Sequence, residues 1–161
     1  YLGEPAKTSE VMVDGWYNTG DIARIDKDGF VYLMDRLSRY SKIGGEMVPH
    51  VAVEDALVRG LGALERVVAV TSAPDEKRGE QLVVLYTEEA GEAAELRRIV
   101  NESDLPNLWR PGKSNYLRVT ELPTLGSGKL DLKHLKTIAR DFIQQHESVA
   151  QRAVNVIREK L

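Results

Sequence analysis

Three short segments of the chain carry side chains able to act on a nucleotide or a carboxylate. The first is Thr19-Gly20-Asp21, placed just before a run of alternating apolar and polar residues. A carboxylate presented from a loop can accept hydrogen bonds from both hydroxyls of a ribose. The same residues also fit an Asx-type turn leading into a strand. The second is Asp35-Arg36-Leu37-Ser38-Arg39, followed by Lys42-Ile43-Gly44-Gly45-Glu46. It is polar and basic and lies between two structured regions, as an interdomain hinge or an ordinary charged loop would. Its paired glycines suit a positive φ or a close approach of the backbone to another group. The third is Leu122-Pro123-Thr124-Leu125-Gly126-Ser127-Gly128-Lys129-Leu130. A lysine there is a mobile point charge that can reach a phosphate or a carboxylate, or a solvated lysine on a flexible turn. It is not a P-loop, which needs Gly at position 123 and Ser or Thr at position 130, where Pro123 and Leu130 stand.

The elements that must hold these segments follow from composition and period. The chain has 161 residues, 42% hydrophobic and 29% charged, enough for one domain with a core or a domain plus a piece of another. A net charge of -3 argues against a strongly basic nucleic-acid-binding domain. The absence of cysteine excludes disulfide scaffolds, Cys-ligated zinc and thiol catalysis. Apolar runs are too short for a membrane span. The opening Tyr1-Leu2-Gly3-Glu4-Pro5 has no leader pattern and no initiating Met, which predicts an excised, soluble fragment of a longer protein.

Residues 1–13 show little periodicity. Alternation over 22–26, the Asp28-Gly29 dipeptide and β-type residues over 30–34 predict a β-hairpin. A connector over 36–41 and a short extended segment over 42–48 follow. The spacing of Val53, Ala56, Leu57 and Leu61 predicts a helix over 50–61. Strands buried on both faces are expected over 64–71 and 81–87, joined by a charged loop over 74–79. A helix over 93–103, a strand over 116–119, the Gly-rich loop over 122–130, a helix marked by Leu132, Leu135, Ile138, Ala139 and Phe142, and an amphipathic stretch over 149–157 complete the chain. This irregular alternation predicts an α+β fold, a β-hairpin followed by a small mixed sheet flanked by helices.

Order and spacing together carry more than each segment alone. Trp16-Tyr17-Asn18-Thr19-Gly20-Asp21, then Asp35-Arg36 with Lys42 and Gly45 before a helix containing Val53-Glu54, then Pro123 with Ser127-Gly128-Lys129, resemble the C-terminal motifs of the adenylate-forming superfamily. That family includes acyl-CoA synthetases, acyl-carrier-protein synthetases, luciferases and peptide-synthetase adenylation domains. The resemblance covers about residues 14–140. Within the family, residues 42–48 and 122–129 look most like bacterial acyl-acyl-carrier-protein synthetase/2-acylglycerophosphoethanolamine acyltransferase.

The resemblance implies roles residue by residue. Asp21 and Arg36 fall where the family contacts the ATP ribose, and Ser38 falls on the hinge, where Asp or Lys is usual. Asp35 replaces the usual Gly before Arg36. Gly45 falls on the pantetheine tunnel, and Met47 stands where an Arg is common, which favours a protein-bound pantetheine. Lys129 falls on the catalytic lysine that meets carboxylate and phosphate oxygens during adenylation. The implied organisation is 1–36 as the end of a large N-terminal adenylation domain, 37–145 as a C-terminal lid and 146–161 as a helical tail. The implied cofactors are ATP, Mg2+ held mainly by the large domain, and the pantetheine thiol of acyl carrier protein or coenzyme A. The implied partners are the large domain, acyl carrier protein, a fatty acid and, where an acyltransferase domain is present, a lysophospholipid. The full-length protein would be cytoplasmic or on the cytoplasmic side of the inner membrane. The phosphate-binding loop and acyl pocket would lie in the large domain, so the fragment is expected to be inactive alone. The alternatives are the lid of an acyl-CoA synthetase and a carrier-protein docking module using Arg36, Arg39, Lys42, Arg110 and Lys113 as a basic patch.

Overall fold

The computed structural model describes residues 1–158, with side chains through residue 146; the stretch expected at 149–157 falls within the last helix, and its side chains lie outside those described. The chain divides into two compact units, Tyr1–Ser38 and Arg39 onward.

The first unit holds α1 (Pro5–Val11), β1 (Met12–Val13), β2 (Trp16–Tyr17), β3 (Asp21–Ile25) and β4 (Val31–Arg36). α1 forms where no apolar period is present: Pro5 suits its first turn and none of its residues is buried, so it leaves no hydrophobic stripe to read. β1 pairs with β2, and β3 pairs antiparallel with β4. Asp26 closes the β3–β4 turn, accepting the N–H groups of Asp28 and Phe30 through Oδ1. No residue of this unit is buried, and Trp16 and Leu33 are 80% and 73% exposed.

The second unit is a five-stranded mixed sheet with helices on both faces. It holds β5 (Tyr40–Ile43), β6 (Glu46–Pro49), α2 (His50–Leu61), β7 (Val68–Asp75), β8 (Gly79–Tyr86), α3 (Ala93–Glu102), β9 (Tyr116–Arg118) and α4 (Leu132–Arg158). β8 is the central strand. It pairs antiparallel with β7 along its whole length, touches β5 at Gly79, and takes β9 in parallel from Val84 to Tyr86. Its side chains alternate across the sheet. Leu82, Val84 and Tyr86 join the cluster under α2 and α3, while Val83 and Leu85 join the cluster under α4. Gly60 lets α2 approach α3: a Cβ there would lie 2.3 Å from Ile99 Cγ2. Gly62, in the left-handed region, ends α2 with its N–H on Arg59 O.

Three expectations shift in detail. The segment over 42–48 is a full hairpin, because Gly44 and Gly45, at φ 57° and 93°, supply the two positive φ values of a tight turn. The β7 strand starts at Val68 rather than 64 and runs to Asp75 through Pro74, which an edge strand tolerates. α4 is one continuous helix, begun by Asp131, whose Oδ1 accepts the His134 N–H. No helix among the described residues is long and apolar enough to cross a membrane.

Glu80 ties three elements to β8. It accepts the Ser72 hydroxyl at 2.7 Å, the Lys42 N–H at 2.8 Å and the Lys136 ammonium at 3.2 Å. Partial burial opposes its ionisation, but these donors outweigh that and hold its carboxyl below the ordinary value. The stability Glu80 contributes is therefore present above the unfolded carboxyl pKa and is lost as pH falls through the lower folded value. Urea melts from pH 7 into the acid range should show a steeper loss in the parent protein than in Glu80→Gln, and parallel curves would refute the coupling.

Candidate functional site

The ribose-type carboxylate sits where the first unit's hairpin begins and ends. Register places Asp21 opposite Arg36, and Arg36 Nε meets Asp21 Oδ1 at 2.9 Å. Arg36 Nη1 also donates to Thr19 O at 2.7 Å. The loop is shaped locally: Asn18 Oδ1 accepts the Gly20 N–H, Thr19 Oγ1 accepts the Asp21 N–H, and Gly20 takes φ 71°. The turn reading of Thr19-Gly20-Asp21 holds, and it is this turn that presents the Asp21 carboxylate. The Asp21 side chain is 28% exposed, and a carboxylate paired to one guanidinium nitrogen keeps lone pairs for two further hydroxyl donors. The residues present therefore fit a ribose.

Lys129 lies in the second unit, in the connection between β9 and α4. Leu122 and Leu130, on either side of it, are buried in the cluster under α4. Between them the backbone closes on itself. Leu125 N–H donates to Lys129 O at 2.7 Å, Gly128 N–H to Leu125 O at 2.8 Å, and Asp131 N–H to Pro123 O at 2.9 Å, with Thr124 and Leu130 bridged. The flexible loop expected here is a hydrogen-bonded hairpin, and Gly128 at φ 77° allows its turn. Lys129 is exposed, and its ammonium makes no hydrogen bond or ion pair among the described residues. A fixed backbone thus presents a free cation, which lowers the entropy cost of meeting an anion.

Gly45 occupies the β5–β6 turn of the same unit. A Cβ built on it would meet nothing within 4 Å, so the turn faces open space, whereas Gly44 lies against Leu108. A groove of about 260 Å³ beside this turn is lined by Ile43, Arg78, Leu108, Arg110 and Asn115 among others. Ser38 is exposed, in a short 3-10 turn (Leu37–Arg39), and the division between the two units falls directly after it.

The basic patch is corrected by these contacts. Arg39 is paired to Glu54 at 2.7 Å with side chains only 13% and 10% exposed, and Arg110 is half-buried on the carbonyls of Leu105 and Ser103. With Arg36 on Asp21 and Thr19 O, three of the five cations are thus already engaged within the chain. The Arg39–Glu54 pair is the feature that residue-by-residue reading missed, because charge spacing across a strand–turn–strand–helix segment carries no period. No group of three or more His, Asp or Glu side chains able to hold a metal exists among the described residues.

No protein-family model matches the chain. It is 34% identical over 137 residues to 2-succinylbenzoate–CoA ligase of Listeria monocytogenes, covering 84% of this chain and 28% of that protein. It is 34% identical over 143 residues to medium/long-chain-fatty-acid–CoA ligase FadD8 of Mycobacterium tuberculosis, covering 84% and 25%. Over 80 residues it is 42% identical to fatty acid–[acyl-carrier-protein] ligase ScoC of Streptomyces coeruleorubidus, covering 50% and 15%. Among solved structures, o-succinylbenzoate CoA synthetase of Bacillus subtilis in complex with its acyl-adenylate superposes with TM-score 0.60 at 29% identity, covering 80% of this chain and 26% of that one. ATP-bound MatB of Rhodopseudomonas palustris, at 24% identity and TM-score 0.65 over 88% and 28%, shares the fold. The relatives are ligases that join acids to coenzyme A or a carrier protein, and the chain spans 15–28% of their length. The chain belongs to the adenylate-forming superfamily and covers its C-terminal region.

Leu130 is the anchor whose loss should loosen the turn selectively. Leu130→Ala is expected to cost about 2–5 kcal/mol in urea unfolding, as for other buried leucines. It should also speed amide exchange at Leu125 and Asp131 more than at the β7–β8 ladder. Uniform acceleration would mean that the turn is not held by this side chain.

Proposed function

We propose that the chain is the lid of an ATP-dependent acid–thiol ligase, with residues 1–36 ending the large adenylation domain and the lid beginning after Leu37-Ser38. The ligase joins a carboxylic acid to a pantetheine thiol in two steps. The acid's carboxylate attacks the α-phosphorus of ATP and pyrophosphate leaves; the thiol then attacks the acyl-adenylate carbonyl and AMP leaves. The observation that carries the reading is the presentation of an unpaired Lys129 on a fixed turn of one unit, with Gly45 on another turn of the same unit.

In the first step two anions must meet, and a positioned cation offsets their repulsion and stabilises charge in the transition state. Lys129 supplies that cation. Asp21 accepts from the ribose hydroxyls, and Arg36 holds Asp21 in place. In the second step Lys129 withdraws and the Gly45 turn, which has no side chain to obstruct a narrow thiol, faces the acyl group. Rotation about Ser38 exchanges the two faces. The exposed Trp16, Leu33 and Met34 support a large domain covering the first unit.

The acid in this reading is a fatty acid and the acceptor a carrier-protein pantetheine, with Met47 in place of a cation beside Gly45. Where the longer protein has an acyltransferase, the acyl group passes to 2-acylglycerophosphoethanolamine at the cytoplasmic face of the inner membrane. The resemblance of residues 42–48 and 122–129 supports this finer assignment. Mg2+ is held by the large domain, and the isolated chain is expected to release no AMP.

Lys129→Ala in the full ligase tests the reading. Acyl-adenylate formation should slow about 10²–10³-fold, roughly 3–4 kcal/mol. Thioester formation from preformed acyl-adenylate should be nearly unchanged. Equal defects in both half-reactions would refute the assigned role.

A further inference from the structure

The two residues flanking Ser38 are held from opposite sides. Upstream, Leu37 N–H donates to Gly20 O at 2.7 Å, within the first unit. Downstream, Arg39 Nη2 donates to Glu54 Oε2 at 2.7 Å. The other carboxylate oxygen of Glu54, Oε1, accepts the Val70 N–H at 2.8 Å. β7 is an edge strand, and Val70 lies in its interior opposite Val84. An outward-facing N–H on an edge has no neighbouring strand to pair with, and Glu54 supplies the missing acceptor. One carboxylate therefore joins the first residue of the second unit, the helix α2 and the edge of the sheet. Its side chain and that of Arg39 are 10% and 13% exposed, so water competes little for the pair.

We propose that Arg39 is a positioning residue: its clamp onto Glu54 starts the rigid lid at residue 39 and confines rotation to Ser38. This rests on the lid reading above. Without the clamp, the next residue, Tyr40, faces only Pro49, which has no N–H to donate, so the first side-chain and ladder anchor together is Ser41, buried 2.6 Å from His50 Nε2 and paired to Val48. The pivot would then lengthen into β5. A longer pivot enlarges the set of orientations available to the lid, and Lys129 and Gly45 would reach their places less often. Arg suits the position better than Lys because its guanidinium fork is pre-organised for a carboxylate, but Lys preserves the charge.

Nitrogen-15 relaxation along residues 36–42 of the 161-residue chain reads where rigidity begins, independently of catalysis. The expected order parameter rises from below about 0.6 at Ser38 to about 0.85 at Arg39. Arg39→Gln moves that rise downstream to Ser41, and Arg39→Lys leaves it at residue 39. Should Arg39→Gln fail to fold, Glu54→Gln reads the same step, since the new amide oxygen still accepts the Val70 N–H while the charge holding Arg39 is gone. A rise that stays at residue 39 in the neutral variant that folds, or a Ser38 as rigid as Arg39 in the parent chain, overturns the proposal. In the full ligase, Arg39→Gln should lower kcat about 10–100-fold, leave KM for ATP unchanged, and be largely rescued by Arg39→Lys. A moved step in a protein without ligase activity keeps the clamp and refutes the ligase reading. Ligase activity with an unmoved step refutes the clamp alone.

Discussion

Burial of β8 on both faces is the constraint from which the second unit is built. Leu82, Val83, Val84 and Leu85 are each 2% exposed or less, so neither face of the strand tolerates a polar residue or a shift in register. A slip of one residue would exchange the Leu82–Val84–Tyr86 set for the Val83–Leu85 set and bring each against the wrong helices. β7, β9, α2, α3 and α4 are placed by what β8 offers them. The position of Lys129 follows from the same source, because Leu122 and Leu130 enter the cluster that begins at Val83 and Leu85.

Polar ties finish what the apolar packing leaves undetermined. Asn115, 4% exposed, donates to Leu82 O and Gln81 Oε1 and so fixes where β9 joins β8. Glu80 joins β5, β7 and α4 to β8, and Glu54 joins Arg39 and α2 to the edge of β7. Such groups contribute little net stability when satisfied and cost much when stripped of a partner. Their value lies in specifying one arrangement. In the proposed lid, which presents Lys129 in one step and Gly45 in the other, both turns keep their places on one rigid body while only the connection to the first unit bends.

Much of this was legible where a period or a special residue type marks it. Val53, Ala56, Leu57 and Leu61 predict the α2 helix, with ends at His50 and Leu61 as observed. The unbroken apolar run Leu82-Val83-Val84-Leu85 predicts a strand buried on both faces. The exposed α1 left no stripe, and β6 was hidden because Glu46 and Met47 face solvent while only Val48 is buried. The Gly126-Ser127-Gly128 run suggests mobility, yet the turn is closed by backbone bonds that residue types do not announce. Asp21, Arg36, Gly45 and Lys129 are singled out by motif order, and the roles proposed for them rest on that resemblance. The Arg39–Glu54 clamp was not, since its partners are distant in sequence and joined only through the fold.

The central claim is that Lys129 occupies the reacting centre in the first step and leaves it in the second. Lysine footprinting of the full ligase, read at the Lys129 peptide by mass spectrometry, tests this most directly. One sample holds the fatty acid with a non-hydrolysable ATP analogue, and the other holds a stable acyl-adenylate mimic with a pantetheine thioether. The account predicts strong protection of Lys129 in the first and reactivity like that of the exposed, unpaired ammonium in the second. Equal reactivity in both states would contradict it.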